Sequence, residues 1–147
     1  MKTFHTFLEN DNIHHVRIAV SNLERSFAFW HDVFGYERDF DFPGPDGVVN
    51  WAIKSEGGGP SIVLWVDAAR AADPPPYPLF SLSLPDEQAV YDLAAELDRL
   101  GLEHGELTTL GQAARVFAYD PDRNKIGCYV RHGYRRSAED IRLRPLR

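Results

Sequence analysis

A single cysteine, Cys128, in 147 residues excludes an intramolecular disulfide and any metal site built from several cysteines. No apolar run approaches the roughly 20 residues needed to span a bilayer. The opening Met1-Lys2-Thr3-Phe4-His5 runs into polar Glu9-Asn10-Asp11-Asn12, which lacks the apolar core of a signal peptide. The expectation is therefore a cytoplasmic protein with no membrane contact. A phosphate loop is also missing, since Glu56-Gly57-Gly58-Gly59-Pro60 is not followed by Lys-Ser/Thr and a helix. Basic charge is scarce outside the C-terminus: Arg131 to Arg147 holds six arginines against Glu139 and Asp140, net +4, which leaves −10 of the overall −6 for the first 130 residues. An acidic body disfavours nucleic acid as a partner. The tail has Tyr134 as its one aromatic and no base-stacking pattern, so it reads as a solvated or self-docking extension on the acidic body.

What is present is the composition of a globular protein, 44% hydrophobic and 26% charged. A chain of this length buries roughly 70% of its unfolded surface without help from a metal or disulfides. Its organising feature is a repeat. Ile13-His14-His15-Val16-Arg17-Ile18-Ala19-Val20, an alternating strand followed at once by an amphipathic helix, begins again at Leu79-Phe80-Ser81-Leu82-Ser83-Leu84. A constant offset of 64 residues carries His15 to Leu79 and Ile62 to Ile126. It also lays the strands around Trp51 and Ile62 over those around Arg115 and Ile126.

The first copy reads as a strand to Val20, a capping box with Ser21 at the cap and Glu24 three residues on, and a helix carrying Leu23, Phe27, Trp30 and Phe34 on one face, stopped by Gly35. Strands over Tyr36–Asp41, Val48–Lys54 and Ser61–Asp67 follow. The second copy reads as Leu79–Leu84, a helix capped by Asp86 with Val90, Leu93, Ala94, Leu97 and Leu100 inward and Gly101 as its stop, then Leu102–Gly105, Ala113–Tyr119 and Lys125–Arg131. The expected divisions are a leader (1–12), a first βαβββ module (13–67), a Pro-rich semi-rigid linker (68–78), a second βαβββ module (79–131) and a basic tail (132–147).

Strand parity separates scaffold from site, because successive side chains point to opposite faces. Even positions are wholly apolar: Val16, Ile18 and Val20, then Ile62, Leu64 and Val66, Phe80, Leu82 and Leu84, and Ile126, Cys128 and Val130. That face belongs under the helices, and Cys128 is most simply a small buried hydrophobe. The odd face carries His15, Arg17, Val63, Trp65, Asp67, Leu79, Ser81, Gly127, Tyr129 and Arg131. A solvent-facing sheet has no need of Trp65, Tyr129, Val63 and Leu79 beside these polar groups, but a cleft that binds a small molecule does. Trp51 and Arg115, at equivalent repeat positions of the inner strands, are candidates to line it as well, although their strands lack clean alternation.

The run from Ile13 to Ser26, with Phe29-Trp30 and Val33-Phe34-Gly35 after it, resembles the opening of the vicinal oxygen chelate superfamily, which includes glyoxalases, bleomycin-resistance proteins and extradiol dioxygenases. Tyr119-Asp120-Pro121-Asp122-Arg123-Asn124-Lys125-Ile126 resembles its closing Asp-Pro-Asp-Gly-Asn turn and last strand. The resemblance implies an α+β fold of two tandem βαβββ modules, with curled mixed sheets forming a cleft, often in a homodimer. It also implies a divalent metal, held by His, Gln or Glu at positions that here are His15, Val63, Leu79 and Gly127. Only His15 can coordinate, far short of the three protein ligands usual in catalytic sites. His14, His31, His104 or His132 would have to complete an atypical set.

His15 then has three readings: a hydrogen-bonding group toward ligand or toward Ser81, a general base, or a lone metal ligand. Arg17 and Arg131 lie ready to pair with Asp67 or to clamp an anionic ligand group. The favoured expectation is metal-independent binding of a small organic molecule in an aromatic cleft, for sequestration or for acid-base chemistry through His15, with no cofactor. The alternative is a divalent-metal lyase, isomerase or dioxygenase with an atypical ligand set.

Overall fold

The structure, a computed structural model, describes residues 13–110 and 113–130. The leader, the basic tail, Arg131 and His132 lie outside these residues. The chain divides into two compact units between Asp73 and Pro74. No helix among the described residues is long and apolar enough to cross a membrane.

In the first unit, β1 (Val16–Val20) leads into α1 (Leu23–Phe34), followed by β2 (Tyr36–Pro43), β3 (Val49–Ser55), β4 (Ile62–Val66) and a short α2 (Ala68–Ala71). The sheet order is β1-β4-β3-β2, with β1 parallel to β4 and the other neighbours antiparallel. The cap of α1 is one residue later than expected: Asn22 Oδ1 accepts from the Arg25 amide at 2.8 Å, while Ser21 Oγ accepts from the Arg25 guanidinium. Asparagine caps as well as serine, and its extended backbone sets the helix start. Gly35 ends α1 in the left-handed conformation, at φ 69°. The helix lays Phe29 and Trp30 against the sheet, with Trp30 edge-on to Tyr36 and both wholly or nearly buried. Each such side chain contributes about 2–3 kcal/mol of hydrophobic stabilisation.

In the run Gly57-Gly58-Gly59, the last glycine serves packing. A Cβ on Gly59 would lie 2.5 Å from the Tyr36 hydroxyl, which donates to the Pro60 carbonyl at 2.7 Å, and burial pushes that phenol up to about 12. The stretch expected as linker begins with α2, whose cap is Asp67: its Oδ1 accepts from the Arg70 amide at 3.0 Å. Asp67 is thus committed to a helix end and does not pair with Arg17.

The second unit repeats the plan with β5 (Phe80–Leu84), α3 (Glu87–Arg99), β6 (Thr108–Leu110), β7 (Ala113–Tyr119) and β8 (Lys125–Val130), in sheet order β5-β8-β7-β6. Asp86 caps α3 as expected, and Gly101, at φ 68°, follows its last turn. Val90, Ala94 and Leu97 are buried against the sheet, while Leu93 and Leu100 are half-buried. The strand expected at Leu102–Gly105 is reduced to a single bridge between His104 and Ala118, and Thr108–Leu110 pairs with β7 instead. The outer pairs of both units keep the offset of 64: Val16 opposes Ile62, and Phe80 opposes Ile126.

The even face is the helix-covered core, with Ile18, Val20, Ile62, Leu64, Ile126 and Cys128 buried. Burial raises the Cys128 thiol to about 12, which leaves it a neutral hydrophobe. The closing turn is held by Asp120, buried to 3% exposure, whose carboxylate accepts from the amides of Asp122 and Asn124 and from the Asn124 side chain. Arg123 takes the left-handed conformation there, at φ 68°, stacks over Tyr119 and pairs with Glu103.

Candidate functional site

Each sheet leaves one face without a helix, and the expected site residues sort onto these faces unit by unit. In the first unit, Arg17 and Val63 sit side by side in the parallel ladder, followed by Ala19 and Trp65. The Arg17 guanidinium lies 4.1 Å from the centre of the Trp65 ring. Phe42 meets the other side of this group, with its ring centre 6.2 Å from that of Trp65 and 6.0 Å from that of Phe40.

A β-bulge brings these two phenylalanines into place. Arg38 opposes Ile53 and Phe40 opposes Ala52, so β2 spends an extra residue between them. Arg38 therefore stays on the helix side, 3.7 Å from the centre of the Trp51 ring, while Phe40 and Phe42 turn to the open face. Alternation alone would have put all three on one face, which is why sequence reasoning missed the two phenylalanines.

Trp51 does not join this group. It opposes Leu64 across the β3–β4 ladder and stands edge-on to Phe27 of α1, so it belongs to the helix-covered face. In the second unit Arg115 opposes Tyr129, and Phe117 opposes Gly127. Ser81 is the parallel partner of Gly127, and Ser83 of Tyr129. Phe117 and Tyr129 are perpendicular, with centres 6.2 Å apart. The Arg115 guanidinium lies 5.3 Å from the centre of Phe117 and 6.0 Å from that of Tyr129. Phe117 is a further residue not singled out from the sequence, although its parity with Arg115 carried the signal. Leu79 donates its amide to the Lys125 carbonyl just before β5 and is half-buried.

His15 is exposed immediately before β1, and its Nδ1 lies 2.8 Å from Nδ1 of His14, with one imidazole donating to the other. Its hydrogen-bond partner is thus the adjacent histidine. His31 Nδ1 lies 2.9 Å from the Tyr36 carbonyl, and His104 bridges Asp98 and the Gly105 carbonyl.

Three of the four positions that the resemblance assigns to metal ligands, all but His15, carry no side chain that can hold a metal. Val63 is 7% exposed and apolar, and Leu79 has no donor atom in its side chain. A Cβ on Gly127 would lie 2.3 Å from Ser81 Oγ and 2.7 Å from the Tyr129 ring, so a ligand side chain there would have to displace both of these side chains. Among the described residues, no three His, Cys, Asp or Glu side chains gather closely enough to hold a metal ion.

Residues 12–127 match the Glyoxalase/Bleomycin resistance protein/Dioxygenase superfamily. No curated protein matches the sequence. Among solved structures, a glyoxylase/bleomycin resistance protein/dioxygenase domain from Frankia sp. EAN1pec has a TM-score of 0.67 at 20% identity, over 82% of this chain and 92% of its own. The fosfomycin resistance protein FosX from Listeria monocytogenes has 0.65 at 14%, over 86% and 93%. TnmS3, an antibiotic binding protein from Streptomyces sp. CB03234, has 0.61 at 22%, over 79% and 92%. At these identities the likeness is one of fold. With the match to residues 12–127 and the two βαβββ units, the chain belongs to the Glyoxalase/Bleomycin resistance protein/Dioxygenase superfamily.

Proposed function

We propose that this chain binds a small organic molecule without a divalent metal, through the aromatic and cationic side chains on the open faces of its sheets. The observation that carries this reading is Gly127: where the family resemblance places an acidic ligand, Ser81 and Tyr129 fill the space a side chain would need. Val63 and Leu79 at two further ligand positions add no donor atoms. What stands on these faces instead is Trp65 with Arg17 and Phe42, and Tyr129 with Phe117 and Arg115. Flat rings with a few placed polar groups suit organic ligands. TnmS3, an antibiotic binding protein of the same fold, is in keeping with such a role.

The chemistry open to the chain is sequestration, or acid-base catalysis by His15, whose exposed imidazole reaches solvent and partners His14. The homodimer implied by the family is part of the same proposal, and sedimentation reads it directly. The test of metal independence is elemental analysis of the purified protein together with a ligand screen read by thermal shift. Ligand binding that survives chelation, with far less than one metal per chain, is the expected result. Close to one Mn, Fe, Ni or Zn per chain, lost together with function on chelation, overturns the proposal in favour of the metal-dependent alternative.

A further inference from the structure

We propose that the ligand is an aromatic or conjugated acid, and that Arg115 is the counter-charge for its anionic group on the open face of the second sheet. This rests on the small-molecule reading above and narrows its chemistry to a carboxylate, sulfonate or phosphonate carried by a flat ring.

The pairing of charges points to it first. In a body of net charge −10, Arg38, Arg99 and Arg123 each lie against a carboxylate, whereas Arg17 and Arg115 lie against aromatic rings. Arg115 has no such partner among the described residues, and its Nε is shielded from solvent without an acceptor. A shielded guanidinium donor with no acceptor is costly and is the kind of group a ligand oxygen satisfies.

The placement points the same way. The guanidinium lies within cation–π reach of the Phe117 and Tyr129 rings, an attraction that favours its position without neutralising its charge. Its planar fork of donors is suited to the two oxygens of an acid group. None of the described side chains that β5, β7 and β8 turn to this face is acidic, so none of these competes for the charge. Lys125, 5.2 Å from the centre of Phe117, adds a second cation, and Ser81 and Ser83 supply hydroxyl donors on the same face. The perpendicular Phe117 and Tyr129 rings offer the apolar surface that the ring of such an acid needs.

The test is a fluorescence titration of the full chain with two probes of nearly the same skeleton, 1-anilinonaphthalene-8-sulfonate and uncharged N-phenyl-1-naphthylamine. The wild type is expected to bind the sulfonate more tightly. Arg115→Gln should weaken the sulfonate about 10- to 100-fold while the uncharged probe changes little. Arg115→Lys, which keeps the charge and loses the fork, should fall between, and Arg70→Gln on α2 should leave both affinities unchanged. Melting curves confirm that each variant is folded, and where the glutamine variant is not, the lysine variant decides by the ratio of its two affinities. An unchanged ratio overturns the anion assignment while the uncharged probe's binding leaves the small-molecule reading standing. Saturable binding of neither probe overturns both.

Discussion

Trp51 and Arg115, equivalent positions 64 residues apart in the repeat, lie on opposite faces of their sheets: Trp51 opposes Leu64, whereas Arg115 opposes Tyr129. Under the repeat, Arg115↔Tyr129 corresponds to Trp51↔Trp65, so the inner pair of the first unit is shifted by one residue. A one-residue shift exchanges every side chain between faces. Scaffold and site are therefore divided differently in the two units even though the parallel pairs β1–β4 and β5–β8 keep the same register.

The two tryptophans of the first unit should accordingly separate stability from binding. Trp51→Ala should lower unfolding stability by about 2–3 kcal/mol, through lost contacts with Phe27 and Arg38, and leave ligand affinity unchanged. Trp65→Ala should weaken ligand binding by about 1–2 kcal/mol with a smaller loss of stability. Urea unfolding and ligand titration of both variants check this, and the reverse pattern would contradict the placement of the two rings.

Gly127→Ala should destabilise the chain by about 1–3 kcal/mol, because its methyl group meets Ser81 and Tyr129 well inside contact distance. Ser81→Ala in the same chain should recover part of the loss by removing the nearer atom. Glutamate at position 127 should fail to create a metal site, which calorimetric titration with Mn or Zn would show as no saturable heat.

His15 decides between catalyst and receptor. If it is a general base, His15→Ala and His15→Gln should remove about 10²–10⁴-fold in turnover with the fold intact. If it serves only as a hydrogen-bonding group, the same changes should cost about 1–3 kcal/mol of affinity at most. Turnover indifferent to both substitutions removes His15 as the catalytic group.

Asp120 should make stability depend on pH in the direction opposite to an ordinary ion-paired acid. Burial raises its carboxyl from 3.8 to about 6, so the folded chain favours the protonated form. That contribution is fully present below about pH 4 and is lost as pH rises through about 6, a swing of up to about 3 kcal/mol. The stability of wild type relative to Asp120→Asn should therefore increase as pH falls from 7 to 4. Parallel urea-midpoint profiles for the two proteins would show that Asp120 does not titrate there.

Much of the scaffold was legible because it rests on short-range rules. The apolar even face of β1, β4, β5 and β8, the Asp86 cap and the Gly35 and Gly101 stops each follow from local chemistry. What escaped depends on pairing between strands. The bulge between Arg38 and Phe40, which turns Phe40 and Phe42 to the open face, leaves no mark in a sequence that alternates through it. Asn50, buried to 1% exposure with Oδ1 accepting from the Val66 amide, disguises β3 as half-polar. Thr108–Leu110, only three residues long, carries too little pattern to be told from a loop. Of the proposed site, Arg17, Val63 and Trp65 fell on one open face and Ser81, Arg115, Gly127 and Tyr129 on the other, while Trp51 fell on the covered side.

The closing turn has arginine where the family's motif has glycine, and Arg123 holds a left-handed backbone that costs a side-chain-bearing residue about 1–2 kcal/mol. Its side chain offsets this strain through Glu103 and the Tyr119 ring. The ion pair is exposed, so mobile ions screen it. Ionic strength thereby becomes a variable of this turn: added salt weakens the attraction that opposes the strain, whereas a glycine at position 123 would leave the turn indifferent to it.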